Sequence, residues 1–247
     1  MDFSYTAIVL GKREIGETDR LYTFFTREAG KVKAMGRGSR KPTAKLAGHL
    51  ETLSLIDLSI ARSRGRGNIS SAVVENMFPN ILRLERVLRI ALEGVTTVDR
   101  FVGEDESDEE IFVLLLEFLQ ALDDIAATQQ VSPNEELARN EAILRLGFFW
   151  KLLAQLGFGV EVNRCVVEGD MLRRGERYIF SPDLGGIVCD THRTLAKHAT
   201  PMDEAGVKLL RILLTNRIAS LRKLSVSQKT ERLVLNALQS FIRWVGH

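Results

Sequence analysis

The sequence predicts an α+β protein of two domains, a small five-stranded β-barrel over residues 1–78 and an all-α domain over residues 79–247, on three observations. The first 78 residues hold five short β-branched or aromatic runs separated by glycine-marked turns. After Pro79 the apolar positions switch to helical spacing, at Ile81, Leu84, Val87, Leu88, Ala91, Leu92, Val95 and Val98. Charge is sorted in step: residues 1–78 carry 13 basic and 8 acidic side chains, residues 79–163 carry 7 and 16, and residues 164–247 carry 14 and 8. A Greek-key barrel of the OB type is the natural size match to the first block.

The elements follow in order. Residues 5–10 form an apolar strand, with a charged turn over 11–16 behind it. Residues 18–26 (TDRLYTFFT) are rich in aromatics and threonine, and Ala29-Gly30 reads as a hairpin turn into a strand over 31–35. Residues 50–61 alternate over several positions, and the glycines of 65–67 lead into a strand over 69–74. The first helix is followed by an acidic loop over 103–110, with Ser107 or Asp108 placed to cap a helix over 109–127. Ser132 as N-cap and Pro133 at the first position start a third helix, which runs to about Leu156 and ends at Gly157 and Gly159. Two more amphipathic helices span 201–216 and 226–244. Between the helices, at about 160–197, lies an insertion with both cysteines, the basic residues Arg173, Arg174 and Arg177, and a short strand over 177–180.

Composition narrows the function. Hydrophobic content of 45% and charged content of 27% over 247 residues are ordinary for a soluble globular protein. No uncharged apolar run approaches the ~18–20 residues that span a bilayer, since Glu117 interrupts the best stretch, 111–122. Asp2 stands where a signal peptide would carry basic residues. Two cysteines make no disulfide framework. These features predict a cytoplasmic protein. No Walker motif is present, His49, His192, His198 and His247 are scattered, and Asp123-Asp124 lie on a helix that reads as a solvated face. No catalytic set emerges, so the expectation is a protein that is not an enzyme and takes no small-molecule substrate.

The strongest local signal is residues 31–45 (KVKAMGRGSRKPTAK), with six basic side chains and no acidic one in a chain that nets only +2. Glycines and a proline break the run, giving a basic loop on a strand scaffold suited to an irregular polyanion. Lys31, Lys33, Arg37, Arg40, Lys41 and Lys45 are candidate phosphate ligands, joined by Lys12, Arg13, Arg62, Arg64 and Arg66 at other turns of the same domain. Tyr22, Phe24 and Phe25 could stack on unpaired bases, or could fill the barrel, which for Phe24 and Phe25 is the preferred reading.

The insertion holds a second pattern. Cys165-Val-Val-Glu168 and Cys189-Asp-Thr-His192 each set a cysteine three residues before a potential ligand, with 20 residues between Glu168 and Cys189. That spacing matches a two-knuckle zinc site in which one cysteine has become Glu and another His. The expectation is nevertheless no metal and no cofactor, with two cysteines acting as small buried hydrophobes; zinc held by Cys165, Glu168, Cys189 and His192 is the alternative.

Several segments together resemble the bacterial RecO family of DNA repair and recombination mediators. They are Ala7-Ile8-Val9-Leu10, Glu17-Thr18-Asp19-Arg20-Leu21, Phe25-Thr26-Arg27-Glu28-Ala29-Gly30-Lys31 and Gly36-Arg37-Gly38-Ser39-Arg40-Lys41, then Phe180-Ser181-Pro182 with Gly185-Gly186-Ile187-Val188-Cys189. The resemblance implies an N-terminal OB-fold, a C-terminal helical domain and, often, a four-cysteine zinc module, two of whose positions here read Glu168 and His192. It further implies a non-enzymatic, nucleoid-associated mediator. Such a protein binds single- and double-stranded DNA, anneals strands coated with single-stranded DNA-binding protein (SSB), recognises the SSB C-terminal tail, and joins RecR to help RecA load. An acidic, hydrophobic tail would want an apolar groove edged by cations, available among Arg211, Arg217, Arg222 and Lys223. The alternative is an OB-fold adaptor or RNA-binding protein that docks an acidic partner without annealing.

Overall fold

The computed structural model describes residues 2–40, 47–62, 67–104, 107–131, 135–173, 175 and 177–246. They form two compact units, residues 1–131 and 132–247, so the first two helices group with the barrel. Among the described residues no helix is long and apolar enough to cross a membrane.

Five strands close the barrel: β1 (Asp2–Ile15), β2 (Asp19–Thr26), β3 (Gly30–Gly36), β4 (Leu55–Ala61) and β5 (Gly67–Asn76), in the order β1-β2-β3-β5-β4. Every pairing is antiparallel except β3 with β5, a short parallel join at Ala34–Gly67 and Met35–Asn68. Side chains of one parity point inward, so Tyr5, Ala7, Val9, Tyr22, Phe24, Val32, Ala34, Ile56, Leu58 and Ile60 share one core. The predicted strands are therefore present, but β1 does not end at residue 10. The charged stretch 11–16, expected to be a turn, mostly continues the strand. Its pairing with β2 shifts register between Val9 and Gly11, then runs on to Ile15–Asp19. The reason is that this ribbon projects past the core: residues 12–15 are exposed and need no apolar face. The turn itself begins at Gly16, whose φ is 62°.

Helices α1 (Glu85–Phe101) and α2 (Glu109–Val131) belong to this unit, and outward-facing Phe25 ties α2 to the barrel: it is fully buried and meets the Phe112 ring at 6.0 Å. A second tie corrects the reading of Asp123 as a solvated surface acid. It is buried, and its carboxylate accepts hydrogen bonds from Asn80 N (2.8 Å), Asn80 Nδ2 (2.9 Å) and Ile81 N (3.0 Å). The carboxylate satisfies amide donors where the chain leaves the barrel, which is why a charge can be buried there.

The second unit packs α3 (Glu135–Gln155), α4 (Glu204–Thr215), the short α5 (Ile218–Leu221) and α6 (Gln228–Val245) with a three-stranded sheet. The sheet comprises β6 (Tyr178–Ser181), β7 (Gly186–Cys189) and β8 (Thr200–Met202), in the order β7-β6-β8. Trp150, Phe180 and Phe241 form its aromatic centre, with ring centroids 5.4–5.7 Å apart. Pro201, expected at the start of a helix, lies in β8, where an edge strand tolerates its missing donor. The helix starts after Asp203, whose side chain accepts from Gly206 N at 2.9 Å. Ser227 caps α6 in the same way, from Thr230 N at 3.2 Å. The predicted cap at Ser132 and Pro133 lies outside the described residues.

Two outcomes follow from this packing. A Cβ on Gly67 would lie 2.2 Å from Ile60 Cγ2 and 2.8 Å from Arg62 Cγ, at the point where β5 joins β3. Gly67→Ala should therefore destabilise the chain by about 1–3 kcal/mol, read as a lower urea midpoint. At Asp203, burial pushes the carboxyl up, but the Gly206 amide and the Lys229 ammonium outweigh it and hold the group below the usual carboxylate range. A lowered folded-state pKa stabilises above the unfolded value, and that stability is lost as pH falls through the folded one. Asp203→Asn, which keeps a capping oxygen, should flatten the acid limb of the stability–pH curve while leaving α4 intact by circular dichroism.

Candidate nucleic-acid interface and cysteine cluster

After β3 the chain turns through Arg37, Gly38, Ser39 and Arg40, pinned from several sides. Ser39 Oγ donates to Gly36 O (2.8 Å), Gly38 N donates to Asp19 Oδ1 (2.7 Å), and Arg40 N donates to Thr18 O (3.0 Å). Gly36 allows the close approach: a Cβ there would lie 2.6 Å from the Tyr22 ring. The turn is thus fastened to the β1–β2 turn. Arg40 reaches the Gly16 carbonyl (Nη1, 3.1 Å) and Glu14 Oε1 (Nε, 3.3 Å), while Arg37 Nε donates to Asn68 Oδ1 at the start of β5 (2.8 Å). Arg13 is exposed on the β1 ribbon. These residues collect at one end of the barrel, between the β1–β2 turn and the beginning of β5. Lys41, Lys45, Arg64 and Arg66 lie outside the described residues.

The remaining described candidates are engaged by other partners. Lys12 Nζ pairs with Glu51 Oε2 (2.6 Å), and the Arg62 guanidinium lies 5.9 Å from the Phe3 ring centroid. Lys31 and Lys33 are strand residues with internal counter-ions. Lys31 Nζ donates to Asp99 O (2.6 Å) and lies 3.5 Å from Asp99 Oδ1; Lys33 is ion-paired with Glu104. Neighbouring Arg27 Nε lies 3.9 Å from Glu109 Oε1. Part of the acidic middle block is therefore not only a solvated helix face; it neutralises the barrel's basic edge. The three aromatics fill the fold, as preferred for Phe24 and Phe25, and form no stacking platform: all are fully buried, Tyr22 and Phe24 inside the barrel with rings 6.0 Å apart, and Phe25 under α2. The near-continuous apolar run of Leu21, Tyr22, Phe24 and Phe25 had this reading in it, since β2 is covered on both faces.

In the insertion the two knuckles converge. Ligand atoms of Cys165, Glu168, Cys189 and His192 all lie within 4.8 Å of one another. Cys189 Sγ is 3.3 Å from Glu168 Oε1 and 3.2 Å from His192 Nδ1, which is 3.5 Å from Glu168 Oε2. A tetrahedron with zinc–ligand bonds of 2.0–2.3 Å has edges of about 3.3–3.8 Å, close to the separations among Cys189, Glu168 and His192, so the donor set suits zinc. Local backbone builds the first knuckle: Gly169, with φ 78°, donates to Cys165 O at 2.8 Å, and Cys165 N donates to Asp170 O at 2.9 Å. The segment is sewn to β7 by Val166 N to Ile187 O (3.0 Å), and Gly186 passes so near Glu161 that a Cβ would lie 2.3 Å from its carbonyl oxygen.

The four cations singled out in the helical region lie on α4 and around α5. Arg211 Nε donates to Val162 O (2.9 Å), Arg217 precedes α5, and Arg222 and Lys223 follow it. A groove of about 360 Å³ runs between α4 and the start of α6, walled by Leu209, Ile212, Leu224 and Val226, with Lys208 at its side.

A closed five-stranded barrel with a basic turn at one end, followed by helices bearing a cysteine insertion, defines a two-domain OB-barrel protein. The chain belongs to the RecO family. Its residues 1–78 match the family model for the recombination protein O N terminal and residues 88–245 that for the C terminal. Among its relatives is a DNA repair protein RecO of Dehalococcoides mccartyi, 27% identical over 99% of this chain and 90% of the relative. A second is the DNA repair protein RecO of a Synechococcus species, 30% identical over 85% of this chain and 73% of the relative. A third, from a Roseiflexus species, is 29% identical over 97% and 79%.

Proposed function

We propose that this chain is a non-enzymatic recombination mediator in DNA repair. It binds single- and double-stranded DNA through phosphate contacts, anneals complementary SSB-coated strands, and works with RecR to assist RecA loading. Family membership and the relatives' role as DNA repair proteins support the reading. The observation that carries it is the basic turn at the barrel end, with Arg37 and Arg40 held between the β1–β2 turn and the start of β5. OB barrels present nucleic acid to this region. With the β2 aromatics buried, contact falls on the backbone, which suits a protein that must accept any sequence. Annealing brings two polyanions together, and guanidinium groups at the barrel end lower their repulsion. The apolar groove beside Lys208 offers the hydrophobic, acidic SSB tail a seat in the helical unit.

Binding of single-stranded DNA should weaken with salt, and Arg37→Gln/Arg40→Gln should shallow the log–log slope by roughly 1.4 if both contact phosphate. An unchanged slope removes the turn from the interface. Annealing of strands coated with intact SSB, but not with tailless SSB, separates the mediator from an adaptor or an RNA-binding protein; preference for RNA over DNA would favour the latter.

We also propose that Cys165, Glu168, Cys189 and His192 hold a structural zinc ion, on the strength of their convergence. When bound, zinc would supply a cross-link between the knuckles. The residues' own share is to fasten the 165–170 turn to β7 and the turn after it. Purified protein should contain about one zinc per chain, and cobalt should substitute with the visible bands of a tetrahedral site bearing two thiolates. Cys165→Ser should lose both, and a chelator should lower the melting temperature of the unsubstituted chain but not of that variant. Zinc below a tenth of an equivalent, with no cobalt bands, overturns the assignment.

A further inference from the structure

The acids facing β3 have a geometry of their own. Beyond the end of α1 the chain runs alongside this strand, and Glu104 forms a parallel bridge to Lys31 while its side chain engages Lys33. β3 is open to such an addition because β5 pairs with only Ala34 and Met35. The two lysines are held differently. Lys31 has only 11% of its side chain exposed and also bonds a carbonyl, so it is a fixed clamp on α1. Lys33 and Glu104 are 33% and 56% exposed, and Arg27 and Glu109 are 41% and 70% exposed. Exposed pairs of this kind are weakly held and screened by salt. A phosphate arriving at Lys33 would replace one oxyanion by another and release its own condensed counterions.

We propose that Glu104 is an internal phosphate mimic, an autoinhibitory counter-ion that occupies Lys33 and must be displaced when the barrel binds DNA along β3. The inference rests on the DNA-binding reading above. Its consequence is selective: a lone or short polyanion does not open the pair, whereas a continuous backbone already anchored at Arg37 and Arg40 competes at high local concentration.

A double-mutant cycle tests it, using the full chain and an unstructured oligonucleotide at several salt concentrations. Glu104→Gln should tighten binding about two- to five-fold at low salt and make binding modestly more salt-sensitive, because the competing pair it removes is itself screened away as salt rises. In a Lys33→Gln background the same substitution should change neither. An equal gain in both backgrounds would mean only that a negative charge had left the DNA's vicinity, and would overturn the pairing. So would no gain in a chain that does bind DNA. If the unsubstituted chain binds no DNA, the DNA reading fails there; Glu104→Gln then binding would uphold the counter-ion, and neither binding would end both.

Discussion

The two-residue parallel join between β3 and β5 is the constraint on which the barrel depends. Four of the five strand contacts are long antiparallel ladders, whereas closure rests on Ala34–Gly67 and Met35–Asn68. Closure fixes the strand tilt, and tilt decides which turns share an end. Because β5 enters there, Asn68 can receive Arg37, and the basic turn is drawn against the β1–β2 turn rather than left free in solvent. The glycine at position 67 is the residue that lets the backbones meet.

Electrostatics then sorts the first unit into two edges. Along β3, lysines face acids from the helices; at the barrel end, arginines bond mainly to carbonyl and amide oxygens and to a single carboxylate, Glu14. Arginine suits the second setting, since its planar fork can keep one bond to the protein and present other donors outward. Lysine suits the first, as a compact charge that follows whichever oxyanion is nearest.

Much of this was legible in the chain. Alternation and glycine-marked turns located all five strands, and the shift to helical spacing marked where barrel gives way to helix. Residues 11–15 were misread because a ribbon beyond the core carries no apolar face, so period-2 patterning lost its signal there. Asp123 was misread because composition assigns an acid to solvent, while its role as acceptor for Asn80 and Ile81, over 40 residues away, exists only in the fold. The same holds for Lys33 and Glu104, 71 residues apart. The spacing of Cys165, Glu168, Cys189 and His192 was visible as two knuckles; their convergence was not, because it depends on the pairing of the 161–166 segment with β7.

The division of β1 has a kinetic consequence. Its N-terminal half pairs with β4 through Ile8–Leu55, its C-terminal half with β2 from Ala7–Thr26 onward, and only Ala7 and Ile8 serve both. The β1-β2-β3 meander needs only tight local turns, so its loop-closure entropy is small. Pairing residues 2–8 with 55–61 must close a loop several times longer before any contact rewards it. A chain emerging from synthesis can therefore assemble the meander early, with residues 2–6 waiting unpaired until β4 arrives.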